Sequence, residues 1–232
     1  MDVLDQLAEP AVALSGRVDD VLAVAGAPDG HRIWPLLRRL RVLPGDAVRA
    51  VLALRPGALA VAGEVSLDLC RGYREVEAVL ADGGSWQGPA AEAYAAQRGG
   101  LAGHLTELTG RANATAAYAE AVAGWIAESR YALARTLAGV LGSAEAVAVV
   151  TARTGGSIGA SGMGSPPPGV TAGGLPVGSA AAEIGARILA TVDEAYDRAE
   201  ALPLSWAAEL DLLGYRPPEL PTVRVDDGRI FL

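Results

Sequence analysis

The chain has 232 residues, a formal charge of −8, one Cys, two His, one Phe and no Lys among its 19 basic residues. That charge disfavours a phosphate-binding surface, and so a nucleic-acid partner; a single thiol excludes an internal disulfide or a Cys-clustered zinc site. Ala and Gly supply much of the apolar half, and a core of Ala, Val and Leu suits closely packed helices, so the composition leans all-α.

Exclusive use of Arg reads as the codon bias of a GC-rich genome. The N-terminus lacks the basic and apolar regions of a classical signal peptide. No apolar run reaches the roughly 18 residues of a membrane span without an Arg or Glu, so no transmembrane segment is expected.

In chain order, residues 2–26 read as a helix or helix pair with Pro10 and Gly16 as weak points. Pro28, Gly30, Pro35, Pro44 and Gly45 punctuate a connector with one short helix, roughly Leu36–Val42. Arg38, Arg39 and Arg41 on it form a solvated face beside Trp34 or a docking patch for an acidic partner. From Asp46, a plausible N-cap, a helix extends to Leu80 or Ala81, kinked or restarted at Pro56. Its apolar stripe runs Ala58, Ala62, Val65, Leu69, Gly72, Val76, Val79, in heptad steps of three and four.

Asp82-Gly83-Gly84-Ser85 ends that helix and Pro89 opens the next, where a proline suits the first turn. The second stripe is Tyr94, Leu101, Leu105, Leu108, Ala112, Thr115, Ala119, Val122, Ile126. The frame continues through Leu133 and Val140, so one helix could cover 89–152. Glycines, each costing about 1 kcal/mol against Ala in a helix interior, make a break near 127–142 plausible. Residues 154–178, rich in Gly, Ser and Pro, read as a flexible linker. A helix follows from Ser179 to about Ala201, then a short one over Leu204–Leu213. Asp227-Gly228 between β-prone runs is a hairpin signal. The expected domains are therefore 1–45, 46–153, 154–178 and 179–232.

Two stripes flanking a Gly-rich turn imply an antiparallel helical hairpin with arms of roughly 54 Å. Such a hairpin cannot bury its whole stripe internally; it needs a second hairpin or more helices from its own chain. At its tip stands Ser85-Trp86-Gln87-Gly88-Pro89-Ala90-Ala91-Glu92-Ala93-Tyr94. This string resembles the signature of the WxG (ESAT-like) family of small helical proteins exported by type VII secretion systems. The resemblance covers roughly residues 46–130 and identifies the chain as an extended member.

The resemblance implies a helical hairpin within an elongated bundle, joined by extra N- and C-terminal helices. It implies a protein partner: the chain itself, a second WxG-type protein, or the secretion ATPase. It also implies a two-part export signal. Trp86 and Gly88 match the turn element. The Tyr-x-x-x-acid element matches Tyr196–Glu200, which precedes Pro203 near a helix end, or Tyr73–Glu77 on the first arm. The chain would be cytoplasmic before export, then secreted by the type VII route or held at the cell surface.

No catalytic, cofactor-binding or metal-binding constellation stands out. His31 and His104 lack metal-ligand spacing, and Cys70 reads as a buried, inert thiol. The favoured function is a non-enzymatic secretion substrate or binding module, without cofactor. The alternatives are an effector delivered by the hairpin, with its activity in residues 155–232, and a cytoplasmic helical scaffold or chaperone partner.

Overall fold

Asp2 opens the first helix with a reciprocal capping box: its carboxylate accepts the Asp5 N–H at 2.9 Å, and the Asp5 carboxylate accepts the Asp2 N–H at 3.2 Å. The computed structural model describes residues 2–82, 85, 87–152, 176–211, 213, 214, 217, 224–226 and 229–231. Trp86 and all but the last three residues of the expected linker, 154–178, lie outside these.

The described chain is mostly helical, an all-α fold with one small strand pair. Its elements are α1 (Val3–Ala25), α2 (Ile33–Leu40), α3 (Pro44–Ala53), α4 (Gly57–Ala81) and α5 (Pro89–Leu141). Then come α6 (Ala144–Thr151), α7 (Val177–Ser205), α8 (Ala207–Asp211), β1 (Arg224–Asp226) and β2 (Arg229–Phe231). The strands pair antiparallel with Asp226 opposite Arg229, the register expected around Asp227-Gly228.

Several boundaries differ from expectation, each for a local reason. Helix α1 is continuous through Pro10 and Gly16. The helix expected from Asp46 to Leu80 or Ala81 restarts at Pro56, one of the two expected outcomes there, so it is two helices; its start is what differs. Leu43, not Asp46, is the N-cap of α3, and Pro44 takes the first helical position. Asp19 of α1 supplies the missing cap from outside, its carboxylate accepting the Gly45 N–H at 3.0 Å. Helix α3 stops because Pro56 has no N–H to give the Leu52 carbonyl. The glycines within α5 do not break it; the break falls at the C-terminal end of the expected window, at Gly142, where Ser143 caps α6 by accepting the Ala146 N–H. The two helix axes differ by 68° there.

The chain divides into two compact units, Met1–Arg55 with Gly124–Ala201, and Pro56–Ala123 with Leu202–Leu232. These cut across the domains expected at 46–153 and 179–232: α3 and α7 belong with the N-terminal helices. In the first unit α7 is the central element. Ala180, Ala181, Ala182, Ile184, Ala186, Ile188, Leu189 and Val192 are all buried, so this helix is apolar almost all round, as a core helix must be. Leu4, Leu14 and Val18 of α1, Val48 of α3, Leu133 and Leu137 of α5 and Val149 of α6 complete that core. Gly185 lets the neighbours close in: a Cβ there would stand 2.9 Å from Ile33 Cδ1 and 3.0 Å from Pro44 Cγ.

Arg130 is 1% exposed and ties three segments of this unit together. Its Nε donates to Asp2 at 2.6 Å, and Nη2 to Asp2 at 3.0 Å and Asp5 at 2.7 Å. Its Nη1 donates to the carbonyls of Val51, Leu52 and Leu54 at 3.0–3.1 Å. One guanidinium thus caps the C-terminus of α3, including the carbonyl that Pro56 leaves without a partner. The Arg130 hydrogen bond, helped by backbone N–H groups, lowers the Asp2 pKa from 3.8 to about 2.

In the second unit, partners fall along α5 as they rise along α4. Gly63 lies beside the Ala116 carbonyl, the Cys70 thiol donates to Asn113 Oδ1 at 3.2 Å, and Thr106 Oγ1 donates to Glu77 at 3.1 Å. The two helices therefore run antiparallel. Tyr118 of α5 meets Trp206 edge-on, ring centroids 5.7 Å apart.

Two stability predictions follow from the first unit. Arg130→Met removes the side-chain donor shared by the Val51, Leu52 and Leu54 carbonyls and by Asp2 and Asp5, and we expect a loss of about 3 kcal/mol, or roughly 10 °C in melting temperature. Because the Asp2 pKa is depressed, its contribution is complete above pH 3.8 and fades as pH falls toward about 2. Acid denaturation curves should show that component in the wild type and not in Arg130→Met. For glycines, Gly16→Ala, with open space at its Cβ position, should stabilise by roughly 0.5–1 kcal/mol. Gly185→Val should destabilise by about 1–3 kcal/mol through overpacking. Chemical denaturation of the two variants checks the opposite signs.

Candidate functional site

Helix α4 turns only seven residues away from full exposure: Leu59, Gly63, Ser66, Cys70, Tyr73, Glu77 and Leu80. They recur in steps of four and three and face α5. That inner seam has the periodicity of the expected one but is displaced by a single residue, about 100° of helix rotation. It is built of small and polar groups. The stripe expected to be buried faces outward instead: Val65 is 54% exposed, and Leu69, Val76 and Val79 are exposed with it.

On α5 the expected seam is mixed. Leu105 and Ile126 are buried, Leu108 and Val122 half-buried, and Tyr94 and Leu101 exposed. Where α4 and α5 face one another, helix geometry puts Tyr94 and Leu101 on the same flank of the pair as the outer stripe of α4. Arg98 stacks on Tyr94, its guanidinium carbon 5.9 Å from the ring centre. The result is an apolar flank that stays about half exposed, bordered on α4 by Glu64, Asp68, Arg71, Arg74 and Glu75.

The same region qualifies a point of the sequence reading. The 38-residue stretch Pro44–Ala81 is long and apolar enough to cross a membrane by length and composition, its best window having mean hydropathy 1.4. Its backbone, however, leaves the helix at Leu54 and restarts at Gly57, and Arg55 is ion-paired to Asp5 at 2.9 Å. A surface-lying amphipathic helix favours basic borders and aromatic anchors. Helix α4 has borders of mixed sign, with Arg71 ion-paired to Asp68, and aliphatic side chains.

At the turn, Gly88 has φ +110°, a backbone conformation that favours glycine, and its carbonyl accepts the N–H groups of Ala91 and Glu92. Trp86, the other half of the expected turn element, lies outside the described residues. The two Tyr-x-x-x-Glu candidates are now distinguishable. Tyr73 and Glu77 belong to the inner seam, with Glu77 hydrogen-bonded to Thr106. Tyr196 is 53% exposed and Glu200 is exposed beside it on α7.

Sequence reasoning missed the ion pairs between α2 and α7. Arg39 is held by Asp193 and Asp197, and Arg32 by Glu183 at 2.6 Å, with Arg187 joining Glu183 to Glu145. Of the arginines read as a solvated or partner-facing patch, Arg39 thus serves an acidic stripe of its own chain. The i, i+4, i+7 spacing of Asp193, Asp197 and Glu200 was visible, but no local pattern says that two helices so far apart in sequence will meet. Arg41 leaves the patch altogether: it ends α2 in the left-handed conformation, φ 56°.

Cys70 is 1% exposed between α4 and α5, its thiol donating to Asn113 Oδ1 and, more weakly, to the Thr109 carbonyl. Among the described residues, no three His, Cys, Asp or Glu side chains are grouped to hold a metal ion. A groove of about 590 Å³ between α1 and α6, lined by Pro10, Leu14, Leu141, Val147 and Val150 with Arg17 at its edge, is open to solvent. Compared with protein-family models, curated proteins and solved structures, the chain matches none.

Proposed function

We propose that this chain is a non-enzymatic helical substrate or binding module of a type VII secretion system. In this reading α4 and the first part of α5 form a WxG-type helical hairpin that turns at Trp86-Gln87-Gly88. The observation that carries it is the outer stripe of α4. Val65, Leu69, Val76 and Val79 keep heptad spacing along α4 yet remain 48–75% exposed. Large apolar side chains arrayed in this way stabilise an assembly only when another surface covers them. The partner would be a second helical chain, either another copy or a second WxG-type protein, with the secretion ATPase reading the export signal.

That signal would combine Trp86 and Gly88 with Tyr196 and Glu200. The exposure of Tyr196 and Glu200 supports this assignment over Tyr73–Glu77, whose groups are engaged against α5. The protein would be cytoplasmic before export and secreted or surface-associated afterwards.

Two outcomes are expected. In the host that exports the wild type, Trp86→Ala and Tyr196→Ala accumulate in the cell, with culture-medium protein down by at least about tenfold and helical circular dichroism retained. Export at the wild-type level by both variants would refute the secretion reading, and confinement of the wild type to the cell would favour a cytoplasmic scaffold. Separately, the Val65→Glu, Val76→Glu double variant should weaken partner binding about a hundredfold, as expected for losing two buried valines. Light scattering on the pure protein and co-purification from the host read the two partner classes. Undiminished association in both would show that the stripe is not the interface.

A further inference from the structure

Tyr196 and Glu200 do not stand alone on α7. At 100° per residue, Asp193, Tyr196, Asp197 and Glu200 fall within about 100° of arc, so three carboxylates and one phenol share a face. All four lie in the first unit, as do the groups that hold this part of α7. Trp125 of α5 donates its indole N–H to the Ala195 carbonyl at 2.9 Å, one residue before Tyr196. From the other side Arg39 of α2 reaches the stripe, Nη1 donating to Asp193 Oδ2 at 3.1 Å and Nη2 to Asp197 Oδ1.

Arg39 covers two of the three carboxylates. The Asp197 hydrogen bond, then the fields of Asp193, Asp197 and Glu200, favour its charged form. Glu200 feels the guanidinium but has no hydrogen bond to it. Without Arg39, three carboxylates spaced i, i+4 and i+7 would repel one another and compete for any cation a receptor offered. With it, the face presents a phenol ring and one carboxylate on a helix fixed from both sides.

Resting on the reading of Tyr196–Glu200 as an export signal, we propose that Arg39 is a positioning residue for that signal, engaging the Asp193 and Asp197 carboxylates so that Glu200 is the carboxylate offered beside Tyr196. The receptor that fits has an apolar slot for the phenol and a single Arg or Lys for Glu200. A charge-assisted contact of this kind depends on which carboxylate is available as much as on distance.

The test uses the full-length chain in the host that exports it. Arg39→Ala should lower export about tenfold, the effect of one lost charge-assisted contact. Adding Asp193→Asn and Asp197→Asn to Arg39→Ala should restore export, although that triple variant lacks every ion pair Arg39 made. A purely structural role predicts the reverse, because the triple variant regains no contact between α2 and α7; melting temperatures of all variants accompany the export measurements. Normal export of Arg39→Ala, or a triple variant as defective as Arg39→Ala, overturns the proposal. Tyr196→Ala and Glu200→Gln run alongside. If both are exported normally, the signal reading itself falls; if they are defective while Arg39→Ala is not, only the role of Arg39 falls.

Discussion

A guanidinium has five N–H donors fixed in one plane, and the first unit uses all of them at Arg130. Two carboxylates from the first turn of α1 and three carbonyls from the end of α3 converge on it. The arrangement answers a problem set by the sequence. Pro56 ends α3 and leaves C-terminal carbonyls that would otherwise face a buried space, where each lost partner costs about 1–3 kcal/mol. A lysine has three donors and no planar fork, so it could not serve both the carboxylates and the carbonyls. The remaining contacts of this unit then follow from where α1, α3 and α5 are held: α7 fills the space they surround, and α2 lies along α7 through Arg32 and Arg39.

The two units distribute their apolar surface in opposite ways. In the first, Leu, Ile and Val point inward from α1, α3, α5 and α6 onto α7, and the outward arginines find acidic partners. In the second, α4 meets α5 through Gly63, Ser66 and Cys70, and its valines point away. Burying a valine is worth roughly 1.5–3 kcal/mol. A helix that leaves Val61, Val65, Val76 and Val79 48–75% exposed forgoes about half of that at each, several kcal/mol in total against a domain stability of about 5–15 kcal/mol. Cys70 and Glu77 are hydrogen-bonded across the pair, which fixes the register of the inner face and so decides which side of α4 is left outward.

Periodicity in the sequence carried the helices well. The heptad steps of α4 and α5, the turn before Pro89 and the strand pair around Asp227-Gly228 are all local patterns, and local patterns need no knowledge of what packs where. The rotation of α4 was not legible for the same reason. Two stripes one residue apart share one period, and hydrophobicity alone selects the valines, whereas close approach to α5 selects Gly63, Ser66 and Cys70. The role of Arg130 was equally hidden, because its partners lie 76–128 residues away and an isolated arginine in a helix reads as solvated. The central place of α7 could have been read from Ala180–Val192, where Glu183, Arg187 and Thr191 alone interrupt an apolar surface. The linker before it drew the reading toward an appendage. For the candidate signal, spacing identified both Tyr-x-x-x-Glu pairs, and only burial separates them.

That separation has a thermodynamic consequence. A short recognition motif in an unstructured tail must be ordered when it binds, which costs the complex part of its interaction energy. Tyr196 and Glu200 are on the helix that forms the centre of a packed core, anchored next to Ala195 by Trp125 and beside Asp193 and Asp197 by Arg39. A receptor meeting this face finds its side chains already on a fixed backbone and has only their rotamers to restrict. In the proposed export reading, the same rigidity would make the face selective. The phenol and the carboxylate could not adjust their spacing to suit a second partner, so discrimination would come from geometry and from which of the three acidic groups is left without a hydrogen-bonded guanidinium. Core packing and the proposed recognition would then be coupled through α7: residues that hold this helix in place also fix what its exposed turns present.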